Sequence, residues 1–159
     1  MVTETQILRL LLATLLGGLV GWERESEHKP AGLRTHMLVC IGATAFALVS
    51  LGLPGAGQPD TRSADTSRII AAVITGIGFL GAGTILRGRG QVEGLTTAAG
   101  LWVVAGIGAS VGLGAYAVAV TTTLLTLFVL HGLGAILERL FPGQHLVPRR
   151  REPESDADA

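Results

Sequence analysis

The sequence predicts an all-α protein, a polytopic transmembrane helix bundle of about five helices, N-terminus outside and C-terminus cytoplasmic. Three observations carry this. Of 159 residues, 48 % are hydrophobic, and charge is missing over long stretches where a soluble surface would need it. Several of those runs approach the roughly 20 residues that cross a hydrocarbon core of about 30 Å. Glycine is abundant, at 23 residues, which suits helices that must approach closely with no hydrophobic drive between them. The 12 basic and 12 acidic residues cancel, and Lys29 is the single lysine. No basic face remains to neutralise phosphates, so nucleic acid is excluded as a partner and the lipid bilayer takes its place. Cys40 is the only cysteine, which excludes a disulfide framework or a cysteine metal cage. The chain is too apolar for disorder.

The first helix, near 5–22, holds Arg9 as its only charge. It is no signal peptide, because Thr3-Glu4-Thr5-Gln6 gives no basic n-region and no small-x-small cleavage site follows. The second, near 33–53, is uncharged from 38 onward, with Arg34 and His36 at the interface and Pro30 suited to a first helical turn. The third, near 68–86, lies between Arg68 and Arg87. From 95 to 137 there is no formal charge, only His131. That length makes two crossings, near 97–113 and 116–138, turning at Gly112-Leu113-Gly114, and Thr96 or Thr97 can cap the first of them. Residues 1–141 thus form a transmembrane domain. Residues 142–159 mix arginines with acids and show no apolar period, so they read as a disordered cytoplasmic tail.

Loop charge sets the orientation. Arg24, Lys29, Arg34, Arg87, Arg89, Arg139, Arg149, Arg150 and Arg151 fall on one side, against Arg62 and Arg68 on the other. The nine belong in the cytoplasm.

Small residues mark close helix approaches. Ala13, Gly17 and Gly21 form one stripe on helix one. On helix three, Ala72, Gly76 and Gly83 share a face, while Gly78 and Gly81 lie nearly opposite. Small residues on both sides predict a helix packed on both sides and central to the bundle; local unwinding at the glycines is the alternative. Two literal motif matches fail on context. Gly76-Ile-Gly78-Phe-Leu-Gly81 has the spacing of a dinucleotide fingerprint but lies inside a span, without a βαβ unit. Gly108-Ala-Ser110-Val-Gly112 reads as a nucleophile elbow, yet His36 and His131 lie at the wrong depth to serve Ser110. No enzyme is expected.

Polar chemistry gathers at the cytoplasmic end. Trp22-Glu23-Arg24-Glu25 closes helix one, and Lys29-Pro-Ala-Gly-Leu-Arg34-Thr35-His36 opens helix two. An ion near the apolar boundary is expensive unless paired, so an ion pair between Glu23 and Arg34 is expected. Glu23, Glu25 and Glu93 are the carboxylates that could offer oxygens to Mg²⁺. The arginines around them oppose a cation, and no cofactor is expected.

The same residues resemble the MgtC/SapB family. The likeness rests on Gly21-Trp-Glu23-Arg24-Glu25, on 29–36, on Gly76-Ile-Gly78-Phe-Leu-Gly81-Ala-Gly83-Thr-Ile, and on Val92-Glu-Gly-Leu-Thr96-Thr97-Ala-Ala99 with Leu101-Trp102. It covers about 5–138. The resemblance implies a multi-pass protein of the bacterial inner (plasma) membrane, linked to magnesium homeostasis and growth in low magnesium. It also implies, for some members, contact with the F-type ATP synthase. Its motif residues here are Glu23, Arg24, Arg34, Thr35, Gly76, Gly78, Gly81, Gly83, Thr96 and Thr97. Gly100 departs from the Thr or Ser common in the family. Longer members carry a soluble ACT-like C-terminal domain, whose properties are not carried over. The expected function is a non-enzymatic role through contact with another membrane complex. The alternative is a small transporter or channel, as a homo-oligomer, for a cation or other solute.

Overall fold

The computed structural model describes residues 3–52, 61–88, 91–133 and 136. Five helices follow one another: α1 (Glu4–Ser26), α2 (Leu33–Gly52), α3 (Thr61–Thr84), α4 (Leu95–Leu113) and α5 (Tyr116–Leu127). The first four are long and apolar enough to cross a membrane, and α5 continues as one π-helical turn, Phe128–Gly132. The all-α membrane bundle is as expected.

The helix ends explain their own positions. At the start of α1 the Gln6 side chain bonds back to the Thr3 N–H at 3.0 Å. Its end is a Schellman turn: Lys29 N–H reaches the Arg24 carbonyl and His28 N–H the Glu25 carbonyl, both at 3.0 Å. His28 adopts the left-handed conformation this turn requires, with φ 53°. The same motif ends α4, with Ala115 N–H on Ser110 O and Gly114 N–H on Val111 O, and here glycine supplies the positive φ of 83°. The turn expected at Gly112-Leu113-Gly114 is therefore where the sequence places it.

Several boundaries differ. α1 runs one turn past Trp22, because Glu23 and Arg24 are buried rather than left at an interface. α3 starts at Thr61 instead of near 68. Pro30 precedes α2 and lies outside its first turn. Between α3 and α4 stands a hairpin, β1 (Leu86–Gly88) with β2 (Gln91–Glu93), antiparallel in the register Leu86 to Glu93. Gly94 follows it with φ 88°, and a Cβ there would lie 2.0 Å from the Thr84 carbonyl oxygen. That glycine, not a threonine, occupies the N-cap of α4.

The core is α2 between α1 and α4. On α1, a Cβ at Gly17 would meet Cys40 Cβ at 2.7 Å, and one at Gly21 would meet Leu33 Cα at 2.8 Å. On α4, a Cβ at Gly108 would stand 2.2 Å from the Cys40 carbonyl, and one at Gly112 would stand 2.5 Å from Ala47 Cβ. Backbones this close let Thr44 Oγ1 share its hydrogen between Cys40 O at 2.9 Å and Gly108 O at 2.7 Å. Leu8, Leu11, Leu15, Leu19 and Trp22 face outward from α1, as lipid-facing residues do.

Helix three is not central. Its span is 11 % buried against 56 % for α4. Gly76, Gly78 and Gly83 have nothing within 4 Å of a built Cβ; only Gly81 approaches a neighbour, Ala98, at 3.5 Å. The helix is continuous from Thr61 to Thr84, so it is not unwound either. Gly76 and Gly83 leave a flat face on α3 that the described residues do not cover, while Gly81, nearly opposite, lies against α4. Between α2 and α3 lies an apolar groove of about 620 Å³, lined by Leu38, Phe46, Val49, Ala72, Gly76 and Leu80 among others.

Candidate functional site

The cluster between the end of α1 and the start of α2 is built from the last turn of α1 upward. Ala13, Leu16 and Val20 are buried, and Glu23 continues their stripe at helical spacing. Arg24 continues the neighbouring stripe of Gly17 and Gly21. Both charges are therefore carried inward, 9 % and 4 % exposed. They pair with each other: Arg24 Nε and Nη2 donate to the two carboxylate oxygens of Glu23. Such a two-pronged pair satisfies a carboxylate with an alignment a lysine does not offer.

This corrects the expected partner. Arg34 is exposed, as is Thr35. The buried face of α2 runs through His36, Cys40, Ala43, Thr44 and Ala47. Arg34 is two residues before His36, roughly 200° around the helix, so it shares the depth of Glu23 but not its side.

The carboxylates do not converge on a cation. Glu23 is held by Arg24. Glu25 Oε2 accepts the N–H of Leu33 at 3.0 Å, placing a negative charge at the N-terminus of α2. It lies so close to Gly32 that a Cβ there would be 1.7 Å away. Glu93 is exposed at the end of β2. Among the described residues no three His, Cys, Asp or Glu side chains gather where a metal could sit. Across the cluster from α1, Thr97 of α4 is buried and Thr96 is exposed.

His36 completes the cluster. Sequence places it at the interface, weighed only as a base for Ser110, and the structure instead carries it into the contact between helices. It is fully buried, and Nδ1 lies 2.9 Å from the Gly32 carbonyl. The signal was available, since His36 and Cys40 stand one turn apart at the head of an otherwise apolar face.

A second polar contact forms at the opposite end. Arg9 Nε donates to Tyr116 Oη at 2.9 Å and Nη1 to the Gly112 carbonyl at 2.7 Å, with the guanidinium 5.7 Å from the Tyr116 ring centre. Arg9 thus serves a carbonyl in the last turn of α4, where a cation is favoured. Ser110 bonds back to Gly106 O at 2.8 Å, consistent with a packing residue.

Four apolar crossings, glycine-tight contacts and one buried ion pair define a polytopic helical membrane protein. The chain belongs to the MgtC family, which it matches over residues 10–139. It is 44 % identical over 129 residues to "Putative magnesium transporter YhiD" of Escherichia coli K12, covering 80 % of this chain and 60 % of that protein. It is 48 % identical over 122 residues to "Protein MgtC" of Salmonella typhimurium, covering 76 % of this chain and 49 % of that one. "Protein SrpB" of Synechococcus elongatus is 40 % identical over 132 residues, 78 % of this chain and 72 % of its own. The chain thus spans about half to three fifths of the first two relatives. No solved structure matches it. Its place is in a membrane, crossed several times, and its family is linked to magnesium.

Proposed function

We propose that the chain serves magnesium homeostasis in the bacterial inner membrane without catalysing a reaction, by docking against another membrane protein. The observation that carries this is the contrast between its glycines. Gly17 and Gly21 of α1 and Gly108 and Gly112 of α4 are closed against α2, where a Cβ would stand under 3 Å from its neighbour, whereas Gly76 and Gly83, which share one face of α3, are open. A tight α1–α2–α4 core leaves little room for an ion path, and a flat glycine face suits the approach of a further helix. The F-type ATP synthase is the candidate partner that family resemblance supplies.

The second reading is a homo-oligomeric magnesium transporter, favoured by the name of the YhiD relative. One pair of experiments separates them. Photocrosslinkers at Gly76 and Gly83 should capture a defined membrane protein in cells, while the same group at Leu11, exposed on α1, should not. Purified protein in proteoliposomes should then pass no Mg²⁺. Mg²⁺ flux from the purified chain, with only self-adducts from α3, would decide for the transporter.

A further inference from the structure

His36 is bonded on one side only. Its Nδ1 faces the Gly32 carbonyl at 2.9 Å, and a carbonyl only accepts, so the neutral ring carries its hydrogen on Nδ1. Nε2 is then a bare lone pair. It is buried, with no hydrogen-bond partner among the described residues. The ring is held in place from two sides. A Cβ on Gly21 of α1 would stand 3.0 Å from His36 Cβ, and one on Gly100 of α4 would stand 3.6 Å from Nε2.

The charges that reach the ring are the Arg24 guanidinium and the Glu23 carboxylate, both from α1. Residues 95–113 of α4 bring no charged group, and on α2 itself the only one is the exposed Arg34. A metal would need further ligands, and among the described residues no such group exists.

We infer that His36 Nε2 is a proton-binding site built into the junction of α1, α2 and α4, and that loading it loosens that junction. The lone pair of Nε2 takes a proton from hydronium, water leaves, and Nδ1 keeps its hydrogen on Gly32 O. The imidazolium places a second positive charge beside Arg24. Its new N–H faces the Gly100 side, where the backbone offers space and no side chain. Glu23 is the one carboxylate whose charge reaches it, and that carboxylate is already held twice by Arg24. Acid therefore sets two cations in competition for one anion inside a glycine-tight contact. This is a local charge change acting on a packed element, and it stands apart from the docking reading above.

The test uses the full chain in detergent micelles, followed by histidine-selective ¹⁵N NMR and by melting temperature from about pH 8 to pH 5, where histidine charges. At the alkaline end His36 should show the Nδ1–H tautomer. On acidification Nε2 should take up a proton and the melting temperature should fall by about 3 °C or more, the shift that roughly 1 kcal/mol gives a chain of this size. Gly100→Ser puts a hydroxyl within reach of Nε2, where it donates to the lone pair and competes with the proton. Proton uptake at Nε2 should then move to lower pH, and the melting temperature should fall further before it levels off, because only the folded state's affinity for the proton has dropped. His36→Gln should abolish the fall. An Nε2 that stays unprotonated to about pH 5 would overturn the proposal. So would a Gly100→Ser melting curve that follows the wild type at every pH, which decides the matter even if His36→Gln does not fold.

Discussion

Consecutive helical residues diverge by about 100°, so Glu23 and Arg24 meet only because both are pressed inward at the last turn of α1. Breaking a buried pair leaves one charge uncompensated, which typically costs about 3–5 kcal/mol. Glu23→Gln and Arg24→Gln should therefore each lower the melting temperature in detergent by several degrees, and the double substitution should cost less than the two singles summed. Arg34→Gln, at an exposed position, should stay within about 0.5 kcal/mol of wild type. Equal losses at Arg24 and Arg34 would sink this assignment. The residue types and depth of the cluster were legible in the sequence, but the partner was not. Hydropathy reports how deep a residue lies and says nothing of its angle around the helix. The angle was recoverable from the spacing of His36, Cys40, Thr44 and Ala47, which turns Arg34 outward. Arg9 illustrates the same gap. Its partners Tyr116 and Gly112 lie more than 100 positions away, and only the fold brings them together.

At the scale of the helix, glycines that share a helix face have opposite consequences on different helices. Gly108→Ala or Gly112→Ala drives a methyl into Cys40 O or Ala47 Cβ, and overpacking of this kind costs about 1–3 kcal/mol. Gly76→Ala and Gly83→Ala meet nothing within 4 Å. They replace glycine inside a helix, and should leave stability unchanged or raise it by up to about 1 kcal/mol. Thermal unfolding of the four variants tests this, and equal losses at all four would mean that α3 is covered in the isolated chain after all. The stripe on α1 was legible because its neighbour, α2, is the next helix in sequence. The stripe on α3 was misread as internal packing because a small residue signals an approach without naming the approaching helix. The hairpin at 86–93 was hidden for another reason. Three-residue strands are too short to show a period, and Arg87 and Glu93 read as loop charges.

For the molecule as a whole, contacts determine which helix ends lie together, and loop charge determines which side of the membrane they face. Arg9 joins the start of α1 to the α4–α5 turn, while Glu25 ties the end of α1 to the start of α2. Gly100, near the start of α4, lies beside His36, near the start of α2. The helices therefore alternate in direction, as the count of crossings required. The nine-to-two distribution of basic residues then predicts that the Glu25 end faces the cytoplasm. Cys40 is fully buried and can stay in place during cysteine mapping. Single cysteines at Ala115, exposed at the α4–α5 turn, and at Glu27, exposed beyond α1, probe the two ends directly. In intact spheroplasts an impermeant thiol reagent should label Ala115→Cys and spare Glu27→Cys, and lysis should expose the second site. The reverse pattern would place His36 and the Glu23–Arg24 pair on the outer side, where the proton reaching Nε2 would report external rather than cytoplasmic acidity.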